Sequence, residues 1–338
     1  MQERIGNIFY NPGGPGLQPT NSLPLSIFHP EIRDRFDIIG VDLRGTGLSQ
    51  PVNCSADIFK TIMQQDEYFE NQESYDHNLD LNRAFRQSCI DGSGPIVDYM
   101  DTVSIARDHE AVRQALGEEK LTWLGQSYGT QLGSHYAELF PNSIRAMVLD
   151  ASVSISQSVT SIFVESAVAN DASLKYFFEW CAAQNATVCP AAHRNDQTMA
   201  EIWTDLLERA QASPIPCHEE ACVASNVTSI TSSLIRIGAL GYLFSPQTYY
   251  PQLALAIDQT AFEDNASLFA PSLPTADELP YLSSSVYARI IVEALDWNSI
   301  AQSSPADMRL KAVLADSEAP LFNGTSASWT YFLKQSLG

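Results

Sequence analysis

A parallel α/β sheet is what residues 1–150 predict, and three observations predict it. Phe36-Asp37-Ile38-Ile39-Gly40-Val41-Asp42, Leu121-Thr122-Trp123-Leu124 and Ile144 through Leu149 are short, nearly continuous apolar runs, as in strands buried on both faces. Stretches with helical periodicity separate them, which calls for right-handed crossovers between parallel strands. Glycine-rich polar turns follow the first two runs, at the strand ends where ligand sites of open parallel sheets gather.

Taken in order, Asn7-Ile8-Phe9-Tyr10 reads as the first strand, and Asn11-Pro12-Gly13-Gly14-Pro15-Gly16 follows as a rigid loop. With so much Gly and Pro, its backbone N–H groups can approach a ligand closely. A short helix is expected within 24–35, then strand 36–42. The loop Leu43-Arg44-Gly45-Thr46-Gly47-Leu48-Ser49 comes next, with Arg44 expected to pair with a buried carboxylate. Residues 50–98 read as polar and irregular, pinned if Cys54 and Cys89 pair. Asp101 or Thr102 can cap a helix running to Leu116, stopped by Gly117. Ile105, His109, Val112 and Leu116 share its inward face, so His109 is expected to be a hydrogen-bonded core residue.

The strand at 121–126 runs into Gly125-Gln126-Ser127-Tyr128-Gly129 and at once into another helix, 130–140. A sharp strand-to-helix turn of this kind strains its central residue and exposes that side chain above the sheet. Ser127 is therefore the candidate nucleophile. The bare Gly-x-Ser-x-Gly pattern arises by chance in about one such sequence in ten, and its strand–helix setting makes it more specific. His135 lies on the same helix, where packing is the expected role. From about residue 155 strand signals fade, and helical periodicity appears in 161–182, 197–212, 229–243 and 283–297. The expected division is 1–154 for the α/β core, 155–318 for a mainly helical lid, and 319–338 for a terminal segment.

Composition narrows the function classes. The chain has 338 residues, 45% of them hydrophobic, and a formal charge of −21 with only 19 Lys and Arg. Such a charge argues against nucleic acid or an anionic membrane as partner. No run approaches the roughly 18 apolar residues of a membrane span. The six Cys form sequence-local pairs, Cys54 with Cys89, Cys181 with Cys189 and Cys217 with Cys222, although six allow 15 pairings. Sequons at Asn53, Asn185, Asn226, Asn265 and Asn323 also favour an oxidising, extracellular compartment. The first residues, Met1 to Gly6, lack the apolar core of a signal peptide. A zinc site drawn from Cys181, Cys189, His193, Cys217, His218 and Cys222 is the rival reading; without a Cys-x-x-Cys knuckle, no metal is expected.

Asn-Pro-Gly-Gly-Pro-Gly, then Gly-Val-Asp-Leu-Arg-Gly-Thr-Gly-Leu-Ser, then Gly-Gln-Ser-Tyr-Gly-Thr together resemble the α/β-hydrolase peptidases of the tripeptidyl and prolyl aminopeptidase group. Asp108, Arg113 and the stretch from Tyr136 to Asp150 carry the likeness further, and Ala294-Leu295-Asp296-Trp297 is faintly similar to a helix of the family's lid. Leu17-Gln18 and Ala151 depart from the pattern.

The resemblance implies an α/β-hydrolase fold with a helical lid and a Ser127 acyl-enzyme, with no cofactor. It implies oxyanion donors at the backbone N–H groups of Gly14 and Tyr128. The substrate would be a peptide with a free N-terminus, its ammonium met by lid carboxylates, for which Glu293 and Asp296 are the candidates. An esterase or lipase would use the same elbow, and a non-catalytic homologue would only bind peptides. In this family the acid and the histidine follow the serine on later strands. After Ser127 the only histidines are His135, His193 and His218, and no Gly-His segment or final strand follows residue 318. The resemblance thus implies a chain cut at both ends, with the triad acid and histidine beyond Gly338. It also implies an unpaired edge beside strand 144–149 and no histidine within reach of Ser127.

Overall fold

Four strands lie side by side in the order β2-β1-β3-β4, all parallel. They are β1 (Gly6–Asn11), β2 (Phe36–Gly40), β3 (Leu121–Gln126) and β4 (Ile144–Asp150). The predicted contiguous parallel arrangement around the first strand is what forms. The computed structural model describes residues 4–25, 28–63, 72–224, 227–270, 279–296 and 317–322. Sequons Asn226 and Asn323 and the aromatic Trp297 lie outside them.

Central position decides burial. All of β1 is buried and most of β3, whereas β2 is half-buried and β4 largely exposed, with Val148 at 57%. The expectation that the three apolar runs are covered on both faces is corrected for the two that form the outer strands. Among the described residues β4 has one neighbour, β3, and it forms a sheet edge.

Helices surround the sheet. Two one-turn helices, α1 (Pro19–Ser22) and α2 (Pro30–Arg33), bridge β1 to β2. The stretch read as irregular instead holds α3 (Ala56–Met63) and the 22-residue α4 (Gln72–Ser93). α4 is polar over most of its surface and buries a thin stripe of Asn82, Phe85 and Cys89. Then comes α5 (Thr102–Ala115), capped by Asp101, whose carboxylate accepts from the Ser104 N–H. Gly117 stops it at φ 71°. α6 (Tyr128–Leu139) begins at the elbow.

Beyond β4 the chain is helical. α7 (Val159–Ala182), α8 (Met199–Ala212), α9 (Glu220–Ala224), α10 (Ser232–Leu243), α11 (Pro246–Phe262) and α12 (Leu279–Asp296) follow. A two-residue ribbon, β5 (Ile215–Pro216) with β6 (Ser229–Ile230), interrupts them. Pro251 inside α11 reads as a breaker and hid that helix from periodicity.

Two hydrophobic clusters result, each drawn from separate stretches of the chain. One gathers α7, α8, α10 and α11 around Phe177, Trp203 and Ile257, and also takes in Phe322. The other lies on the sheet and includes Phe9, Trp123, Phe85 and Tyr136. Tyr287, Ile290, Ile291 and Ala294 of α12 belong to this second cluster. The Tyr287 ring meets Phe59 at 5.2 Å and Phe85 at 5.4 Å.

All three expected disulfides form, with Cα separations of 4.1, 5.5 and 5.9 Å. Two of them take up the four cysteines of the rival zinc reading, and among the described residues no helix is long and apolar enough to cross a membrane.

Candidate active site

Ser127 sits between β3 and α6 with φ 53° and ψ −121°, a conformation that only a closely packed frame maintains. The frame is explicit. The Ser127 N–H donates to the Asp150 carbonyl at 3.0 Å. Its own carbonyl accepts from the Thr130 N–H at 2.9 Å and the Thr130 hydroxyl at 2.6 Å. Gly125 and Gly129 pass so closely that a Cβ on Gly125 would lie 2.2 Å from the Gly129 carbonyl oxygen. That carbonyl also accepts from the buried Trp123 indole at 3.0 Å. Strand, turn and helix are thereby locked, and Ser127 is exposed while Tyr128, Gly129 and Thr130 are buried.

The loop after β1 lies against this elbow. A Cβ on Gly13, at φ 100°, would fall 2.6 Å from the Gln126 carbonyl, 2.9 Å from Ser127 Cβ and 3.0 Å from the Tyr128 nitrogen. Only glycine allows such an approach. The Asn11 side chain shapes the loop by accepting from the Gly13 N–H at 2.9 Å. Tyr128 is the first residue of α6, where a backbone N–H has no partner within the helix. The two expected oxyanion donors, Gly14 and Tyr128, therefore belong to segments that meet beside the serine, and Gly13 makes the closest approach.

The Asp42–Ser49 loop follows β2 and is held by bonds of its own. Asp42 accepts from the Thr20 hydroxyl and N–H and from the Leu48 N–H. Arg44 makes a two-pronged pair with Asp108, both contacts at 2.6 Å, and donates to the Tyr99 carbonyl at 2.8 Å. The pairing expected for Arg44 is found, although its partner is partly exposed.

Glu293 and Asp296 stand on α12, which packs into the sheet's cluster. Tyr287 on the apolar face of this helix packs against Phe59 and Phe85 of the α/β half. Asp296 accepts from the Thr102 N–H at 2.8 Å, the Thr102 hydroxyl at 2.6 Å and Gln131 Nε2 at 3.1 Å. Burial pushes its carboxyl above the ordinary range, and the Thr102 bonds pull the other way. Glu293 lies one turn back, bonded to Arg289 at 3.3 Å. Sequence reasoning missed Thr102 and Gln131 as site residues; Thr102 showed only as a helix cap.

Among the described residues, which include all six histidines, none hydrogen-bonds to the Ser127 hydroxyl. His109 Nδ1 contacts the Ile105 carbonyl, and its ring stands edge-on to Trp123 at 5.3 Å. Burial lowers its pKa and keeps it neutral, as expected of a core histidine. His135 Nδ1 meets the Gln131 carbonyl and His193 Nε2 the Gln184 carbonyl, both at 2.9 Å.

Comparison with known proteins agrees with this geometry. Residues 6–187 match the family model described as alpha/beta hydrolase fold. The serine protease Hip1 of Mycobacterium tuberculosis is 37% identical over 157 residues, 45% of this chain and 30% of that protein. A tripeptidyl aminopeptidase of Streptomyces coelicolor is 34% identical over 223 residues, 63% of this chain and 40% of the relative. Carboxylesterase B of M. tuberculosis is 30% identical over 255 residues, 73% of this chain and 47% of its own. The chain thus spans less than half the length of these curated relatives.

Proposed function

Since this chain belongs to the α/β-hydrolase fold family, we propose that it is a serine peptidase lineage member, releasing short peptides or residues from free N-termini. The observation that carries the reading is the exposed residue Ser127, held at φ 53°, with the start of α6 and the Gly13–Gly14 loop beside it. In this reading the Ser127 oxygen attacks a carbonyl carbon and its proton passes to a base. The tetrahedral oxyanion is met by the N–H groups of Tyr128 and Gly14, each worth about 3–4 kcal/mol of barrier. Collapse expels the amine and leaves the acyl-enzyme for water to cleave. Relatives named as a tripeptidyl aminopeptidase and a serine protease support peptides as the substrate class. Three disulfides and the charge of −21 support an extracellular workplace. A relative named as a carboxylesterase favours esters as the second reading.

Prolonged exposure to a fluorophosphonate, followed by peptide mapping, tests the nucleophile. Modification is expected at Ser127 and nowhere in Ser127→Ala; modification only at other serines removes the proposal. Tripeptidyl nitroanilides with free and acetylated N-termini test the substrate. Preference for the free amine supports the exopeptidase, and faster cleavage of the acetylated peptide or of a simple ester supports the esterase.

A further inference from the structure

The residue after the nucleophile has a side chain the mechanism above does not use. Tyr128 is buried, and its phenol lies 2.7 Å from the Thr102 hydroxyl. That hydroxyl gives its one proton to Asp296 Oδ2 at 2.6 Å, so the phenol must be the donor in the Tyr128–Thr102 bond. A directed chain therefore runs from the Tyr128 hydroxyl through the Thr102 hydroxyl to the Asp296 carboxylate. It joins the first residues of α5 and α6 to the last residue of α12. Gln131 Nε2 adds a second tie from α6 to the same carboxylate at 3.1 Å.

We propose that Asp296 and Thr102 are positioning residues that clamp Tyr128 and thereby aim its backbone N–H at the oxyanion. This rests on the reading of Ser127 as nucleophile and Tyr128 as oxyanion donor. The peptide between Ser127 and Tyr128 is strained, and strain persists only where the surroundings over-determine it. The Ser127 end is fixed by Asp150 and Thr130; the Tyr128 end has its buried phenol, anchored through Thr102 to a charge-bearing acceptor. Hydrogen bonds to an ionised group are the stronger kind, which suits an anchor. Donors act on the transition state only when aimed at where its charge develops, so a loosened anchor costs rate more than ground-state binding. The carboxylate expected to meet a substrate ammonium thus has its oxygens committed to the enzyme's own frame.

Thr102→Val removes the linking hydroxyl at nearly constant shape and keeps the backbone N–H; Thr102→Ser restores the hydroxyl. In Thr102→Val, Ser127 phosphonylation is expected to slow on the order of tenfold, with peptide affinity changed less than twofold. Tyr128→Phe should give the same loss, and the double variant no more than either alone, because both break one chain. Amide hydrogen exchange across 127–131 should quicken in Thr102→Val and return to normal in Thr102→Ser. Unchanged exchange overturns the clamp. Unchanged phosphonylation, or equal loss of rate and peptide affinity, overturns its role in aiming the donor. Should the wild-type chain show no Ser127 modification at all, the nucleophile reading fails, and exchange alone decides the clamp.

Discussion

Peptide hydrolysis by the 338-residue chain is expected to run on the order of 10⁶-fold slower than by a serine hydrolase whose base is in place. A serine hydroxyl is a weak nucleophile until a neighbouring base takes its proton, and the base must lie about 2.6–3.2 Å away or one water removed. The described histidines do not bond to Ser127: His109 is buried against Trp123, and His135 and His193 bind backbone carbonyls. Without that base, the proposed oxyanion donors would leave a residual 10³–10⁴-fold acceleration over water. Steady-state turnover of a free-amine tripeptidyl substrate measures this directly. Turnover in the range of 1–10³ per second, ordinary for enzymes, would mean that a base reaches Ser127 in solution, and variants of His135, His193 and His218 would identify it.

Glu110→Gln is expected to destabilise the fold by about 3–5 kcal/mol near neutral pH, as when one partner of a buried ion pair is removed. Glu110 and Arg113 are buried, one turn apart on α5. Arg113 meets both carboxylate oxygens, at 2.7 and 2.8 Å, while the Tyr136 phenol donates at 2.6 Å and Gln114 at 2.7 Å. Arg113 first, then Tyr136 and Gln114, hold the Glu110 carboxyl down, from 4.5 to about 2. Its folded pKa is depressed, so its contribution is complete above about pH 4.5 and is lost as pH falls towards 2. The full shift corresponds to about 3 kcal/mol. Urea denaturation of wild type and Glu110→Gln from pH 7 down to pH 2 checks this. The gap between them should shrink across pH 4.5 to 2, and a gap independent of pH would contradict the assignment. A protein working in mild acid would keep this brace between α5 and α6.

How much was legible depended on how local the cause was. The strand order, the elbow at Ser127 and the disulfides could be read because each rests on neighbouring residues: apolar runs, glycines that admit close backbone contact, and cysteines 5–35 residues apart. α4 could not, because a long helix burying only a narrow stripe carries no broad apolar face. α11 was hidden by Pro251, tolerated because packing of Leu253, Ala254 and Ile257 outweighs a local penalty. The Asp296 environment was out of reach altogether. A carboxylate near a helix end is visible in the sequence, but its partner Thr102 lies 194 residues away.

The return of α12 to the sheet decides how the molecule can be taken apart. The chain leaves the α/β half after β4, builds the helical half, comes back for Leu279–Asp296, then crosses again so that Phe322 packs 6.2 Å from Trp203. The helical half is thus spliced into the chain rather than appended to it, and no single cut separates the two. An excised 1–154 fragment would keep the serine but strip Phe59 and Phe85 of the Tyr287 ring that closes over them. Any excised α/β half must therefore be stitched from two pieces, 4–154 and 279–296, and the stitch has to reproduce the approach of Asp296 to Thr102.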